Sequence, residues 1–134
     1  MIPVKKIKNA CFMACIESFL RDHGIQIEQD CMIKMLRLKG LCSDEGVVSR
    51  GMEKEACSLF NIHFSDVKYH YPINPIYIDG SLLIGTIVGG SHCVRFYKQE
   101  EINKIIVMDP EFGILRYWDN MDQEKPNYHR IELL

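Results

Sequence analysis

The feature that most constrains this chain is a change of character near residue 61. Before it, apolar residues recur at helical spacing; after it, they come in short β-rich runs. Phe12, Ile16, Phe19 and Leu20 fall at i, i+4, i+7 and i+8, which makes one apolar helix face. Asn9 can cap that helix and Gly24 can stop it. A second helix is expected from about Gln29 to Lys39, ended by Gly40. A third follows Ser43 or Ser49 and carries Met52, Ala56, Leu59 and Phe60. Beyond residue 67 lie nine of the thirteen aromatic residues, which places the strand formers there. Ile62–Lys68, Leu82–Val88, His92–Lys98, Lys104–Met108, Gly113–Trp118 and Tyr128–Leu134 read as strands. Gly89-Gly90, the stretch Gln99–Asn103 and Pro110–Phe112 read as turns, and Pro72 and Pro75 mark a loop. Helices first and antiparallel strands second define an α+β layout. A chain of 134 residues is expected to form it as a single domain, with a helical half at about 1–60 and a sheet half at about 61–134.

Charge and cysteine content narrow the function classes. Sixteen basic and eighteen acidic residues give a formal charge of −2. Residues 1–67 hold nine of each sign, and residues 68–134 hold seven basic and nine acidic. Nucleic-acid binding is not expected, because it needs a basic footprint. The longest apolar stretch, Ser81 to Gly90, is too short for a bilayer and is broken by Gly85. Lys5, Lys6 and Lys8 are followed by no apolar run of a signal peptide. The expected location is therefore cytoplasmic, with delivery into another cell by a signal-less route left open. The six cysteines, at 11, 15, 31, 42, 57 and 93, form no CxxC pair. Cys31, Cys42 and Cys57 are expected to be small buried groups in a reducing compartment. Cys15 is expected in the core, one turn below Cys11.

Three reactive residues fall at element ends. Cys11 opens the first helix, where backbone N–H groups are unpaired and the helix dipole is positive. Both effects favour a thiolate over a thiol. Position alone is equally compatible with a packed helix cysteine. His92 opens an apolar strand after a glycine turn, at the rim of a sheet. Asp109 ends a strand before a proline, a place that turn chemistry alone can explain. A short turn joins the strands His92–Lys98 and Lys104–Met108, so they should pair as a hairpin. The start of one strand then lies beside the end of the next, which sets His92 next to Asp109. Packing the cysteine helix on that sheet completes a Cys–His–Asp set, the arrangement nucleophilic catalysis needs. His23, His63, His70 and His129 are left as surface or structural residues. A Cys₃His zinc site from Cys11, Cys15, His92 and Cys93 is the chemical rival. It is opposed by the opposite facing of strand neighbours, and no metal or other cofactor is expected.

The segment Cys11-Phe12-Met13-Ala14-Cys15, leading to Asp22-His23-Gly24, resembles the nucleophile helix of bacterial double-glycine leader peptidases. These papain-like cysteine peptidases process bacteriocins, alone or at the N-terminus of peptide-exporting ABC transporters. Ser91-His92-Cys93-Val94 resembles the family's second motif, and Asp109-Pro110, seventeen residues on, its third. The resemblance covers nearly the whole chain and implies a papain-like fold, with the N-terminal helices packed on the C-terminal antiparallel sheet. It implies Cys11 as nucleophile, His92 as base and then acid, and Asp109 as the group orienting His92. The Cys11 N–H would give one oxyanion donor. The family's oxyanion Gln falls at Lys5, an ammonium donor on a flexible stem. Ala10 and Phe12 also depart from the pattern. The implied function is a cysteine hydrolase working through a thioester, a peptidase of narrow specificity. Its partners would be a leader peptide or protein substrate and a transporter or carrier. Glutamine deamidation or acyl transfer on the same fold, and a catalytically weak peptide-binding domain, stay open as alternatives.

Overall fold

The protein is described by a computed structural model, which places residues 1–65, 69–70, 83–86, 92–102, 104–119 and 127–134. Three helices come first: α1 (Cys11–Asp22), α2 (Gln29–Leu38) and α3 (Glu53–Ser58). Among the described residues, seven strands follow: β1 (Ile62–Phe64), β2 (Tyr69–His70), β3 (Leu83–Thr86), β4 (Cys93–Gln99), β5 (Lys104–Asp109), β6 (Ile114–Tyr117) and β7 (Asn127–Leu133). The described strands form one sheet in the order β1-β7-β3-β4-β5-β6, with β2 also pairing β7, and every pairing is antiparallel. This is the expected α+β arrangement. The expected turn at Gly89-Gly90 and the loop at Pro72 and Pro75 lie outside the described residues.

Local signals place most element ends. Gly24 and Gly40 follow α1 and α2 with φ of +76° and +70°, a conformation open to glycine at little cost. The start of α1 differs from expectation. Its N-cap is Ala10 rather than Asn9, and no side chain caps it. Tertiary contacts set this start instead. Lys8 turns the chain at φ +47°, and the Asn9 N–H donates to the Glu45 carbonyl at 3.1 Å. Gly46 then lies so close that a Cβ there would come within 2.7 Å of the Ala10 Cβ. Helix α3 is also shorter than expected, and Met52 becomes its N-cap.

The core lies between the helices and one sheet face. All of α1 from Cys11 to Leu20 is buried, consistent with apolar residues on more than one side. Its side chains pack with Met32, Ile33 and Leu36 of α2, Ala56 and Cys57 of α3, Cys93 of β4 and Met108 of β5. Each large apolar side chain so buried contributes about 1.5–3 kcal/mol. A smaller cluster of Val94, Phe96 and Val107 packs with Trp118. Fully buried Arg95 reaches back from β4 to α1, donating to Asp22 Oδ2 at 2.8 Å and to Ser18 Oγ at 2.5 Å.

Cys31 corrects one expectation. Cys57 is buried, Cys42 is half-buried, but Cys31 is exposed. The buried face of α2 runs through Gln29, Met32, Ile33 and Leu36, and Cys31 lies outside it, among polar neighbours Asp30 and Lys34. None of the six cysteines is disulfide-bonded. Among the described residues, no helix is long and apolar enough to cross a membrane.

Candidate active site

The β4–β5 register sets one side of the site. Arg95 lies opposite Met108, so the chain just before β4 meets the end of β5. His92 precedes β4 by one residue, and its Nε2 lies 3.0 Å from Asp109 Oδ1. Cys11 occupies the first position of α1, and its side chain faces the same imidazole. The structure thus brings Cys11, His92 and Asp109 together from a helix start, a strand start and a strand end.

The Asp109 carboxylate divides its two oxygens between two sets of donors. Oδ1 takes His92 Nε2 and the Glu111 N–H, the latter at 3.0 Å. Oδ2 takes Arg116 Nη2 at 3.0 Å and Nε at 3.2 Å. Burial pushes the Asp109 carboxyl up, but the hydrogen bonds from His92, Glu111 and Arg116 outweigh it and hold the group well below the usual carboxylate range. An ionised carboxylate only accepts hydrogen bonds, so His92 Nε2 must carry its proton. Nδ1 is then the nitrogen left to exchange a proton with a thiol. The hydrogen bond to Asp109, with a further contribution from Cys11, lifts His92 to about 9 against the opposing effect of burial.

A strap formed by the first residues of the chain links the two sides. The Lys6 N–H donates to the Pro110 carbonyl at 2.8 Å, directly after Asp109. Buried Gln29 clips the strap to α2, donating from Nε2 to the Lys5 carbonyl at 2.8 Å and accepting the Ile7 N–H at 3.0 Å. Lys5 crosses Gly113, whose φ is +65° and where a Cβ would come within 2.7 Å of the Lys5 Cβ and 2.9 Å of its nitrogen. The Lys5 side chain is exposed. Its backbone thus runs beside the turn that carries Asp109.

Cys15 and Cys93 lie beneath the site. Both are buried, and Cys15 Sγ is 3.6 Å from the Cys93 carbonyl. Burial, reinforced by the neighbouring Cys15, pushes the Cys93 thiol up. Among the described residues, no group of three or more His, Cys, Asp or Glu side chains is arranged to hold a metal ion. His129 is buried, with Nδ1 2.8 Å from the Ser65 carbonyl and its ring stacked on Phe64, whereas His23 is exposed beside Phe19. Sequence reasoning missed Arg116. The signal for it was present, since the short turn after Asp109 folds β6 back along β5.

No protein-family model matches this chain, and no curated protein is recognisably similar to it. A solved structure is similar: the peptidase domain of Streptococcus ComA, a bi-functional ABC transporter involved in a quorum-sensing pathway. The match covers 98% of this chain and 96% of that one, with a TM-score of 0.70 and 18% sequence identity. At that identity the likeness defines the fold, which is papain-like.

Proposed function

We propose that the chain is a papain-like cysteine hydrolase, a peptidase of narrow specificity acting on an extended polypeptide. The observation that carries this reading is the 3.0 Å contact between His92 Nε2 and Asp109 on a ring that also faces Cys11. Cys11 Sγ attacks the scissile carbonyl carbon, and the thiol proton rests on His92 Nδ1. The Cys11 N–H, uncapped at the start of α1, donates to the developing oxyanion. The C–N bond then breaks, His92 delivers its proton to the leaving amine, and a thioester remains on Cys11. Water attacks the thioester, His92 takes a proton from it, and the acid product and free thiol are released. With His92 lifted to about 9, the imidazole holds a proton at neutral pH, the state that protonates a leaving amine. Asp109 holds the ring and its tautomer. Lys5 is the second candidate oxyanion donor, reached by its exposed side chain from a backbone fixed over Gly113.

The fold is shared with a peptidase domain of a transporter, which supports a leader peptide or protein as substrate and an export transporter or carrier as partner. Six unpaired cysteines suit a reducing cytoplasm. A glutamine deamidase or an acyltransferase would use the same thioester step and differ in the group that enters or leaves. The test is iodoacetamide labelling of Cys11 across pH, followed by mass spectrometry, for the wild type and His92→Ala. The expected result is fast labelling near neutral pH that collapses in the variant. Labelling no faster than at exposed Cys31, and indifferent to His92, would leave a peptide-binding domain as the better reading.

A further inference from the structure

We infer that Arg116 is a positioning residue for this site, acting on His92 through Asp109. The inference rests on the reading of Cys11, His92 and Asp109 given above. Val107 lies opposite Arg116 and Asp109 opposite Ile114 in the β5–β6 register. Arg116 and Asp109 are therefore diagonal neighbours on one sheet face, within reach of a long side chain. Two of its nitrogens, Nε and Nη2, converge on Oδ2 alone. This leaves Oδ1 to His92 and the Glu111 N–H.

That division matters because the terminal torsion of an aspartate is soft and nearly two-fold. A carboxylate held only at Oδ1 could turn about its Cβ–Cγ bond and exchange oxygens under the imidazole. A planar guanidinium clamping the other oxygen from two points fixes the rotation. The fork is itself held. Nη1 donates to the Tyr117 carbonyl at 3.2 Å and lies 3.6 Å from Asp119 Oδ2. A lysine would supply the charge without the fork. Among the described residues, Asp109 of β5 and Cys11 of α1 bear on His92, and Arg116 reaches it through Asp109.

The test uses Arg116→Gln and Arg116→Lys in the full chain. It reads the titration midpoint of His92 by NMR of its ring and the alkylation rate of Cys11 at pH 7. Loosening Asp109 weakens its hydrogen bond to His92, so the midpoint should fall by about one unit and labelling should slow by ~10-fold in Arg116→Gln. Arg116→Lys keeps the charge but not the fork, so it should restore little of either the midpoint or the rate. A purely structural arginine would lower the melting temperature and leave the midpoint of the folded protein unchanged, which would overturn the inference. A midpoint that rises would also overturn it, since Arg116 would then act by charge rather than by placement. His92→Ala is the control that separates the two levels. If it abolishes fast labelling while both Arg116 variants behave as wild type, only the role of Arg116 fails. If it changes nothing, the catalytic reading itself fails.

Discussion

Replacing Asp109 by Asn tests the electrostatics of the site more sharply than deleting it. The shape is kept, but one acceptor oxygen becomes a donor. The native carboxylate faces donors on both sides, His92 and the Glu111 N–H at one oxygen and Arg116 at the other. An Asn must therefore turn its NH₂ toward one of these sets, whichever way it flips. Facing Arg116, it sets donor against donor and removes the carboxylate oxygen that two guanidinium nitrogens share. Facing His92, it forces the other ring tautomer. Either costs about 1–3 kcal/mol as an unmatched buried donor. The pH dependence identifies the cause. His92 is raised from 6.5 to about 9 in the folded protein. A group with a raised folded pKa gives stability that is complete below its unfolded value and is lost as pH rises through its folded value. For His92 that window runs from 6.5 to about 9, and the full effect has a ceiling of about 3 kcal/mol, of which Cys11 supplies part. Urea unfolding of the wild type and Asp109→Asn at pH 6 and pH 10 should give a stability difference that shrinks by about 2 kcal/mol at the higher pH. Repeating the pair in a Cys11→Ala background isolates the share of the effect that Asp109 supplies. A difference that stays flat between these pH values would refute the claim that Asp109 holds the proton on His92.

Asp109 also has a signature of its own in acid. Its folded pKa is depressed, so the stability it contributes is present above about 4 and is lost as pH falls further; the acid unfolding curve of Asp109→Asn should therefore be shallower below pH 4 than that of the wild type. Gly113→Ala places a methyl group 2.7 Å from the Lys5 Cβ at a φ of +65° and should cost about 1–3 kcal/mol by urea midpoint, with slower labelling of Cys11 as the strap shifts. Arg95→Ala removes the buried charge-assisted hydrogen bonds to Asp22 and Ser18, while Asp22 keeps the Ile2 N–H, and should cost at least about 1.5–3 kcal/mol, seen as a lower melting temperature. Burial and the nearby Glu53 push the Cys57 thiol far up, so Cys57 should resist alkylation until the protein unfolds, while exposed Cys31 labels in the native state.

Much of the fold was legible because its signals are local. Gly24 and Gly40 stop their helices by backbone conformation, and the Gln99–Asn103 segment is short enough to force β4 and β5 together. That hairpin is what made the His92–Asp109 contact readable from the sequence. The start of α1 was less legible, because Ala10 is fixed by Gly46 and Glu45 rather than by a capping side chain. Cys31 was misjudged because cysteine as a residue type is usually buried, whereas its place on α2 turns it outward. The strap was invisible: Lys6 and Pro110 are 104 positions apart, and no periodicity joins them. Arg116 could have been found by carrying the hairpin argument one strand further. Its place two residues past the partner of Asp109 follows from an antiparallel register that also had to be assumed.

The order of strands in the sheet has a consequence for how the protein is made. β7 follows every other described strand in the chain, yet it lies between β1 and β3 in the sheet. While the ribosome is still extending the chain, the β4–β5 hairpin can close on itself, but β1 and β3 have open edges and no way to reach each other. Those edges invite pairing with other nascent chains until β7 arrives. The sheet is thus completed by insertion rather than by growth from one side. Its closure requires β1 and β7, which flank the other described strands in the chain, to meet, a long-range pairing that is slow beside local helix and hairpin formation.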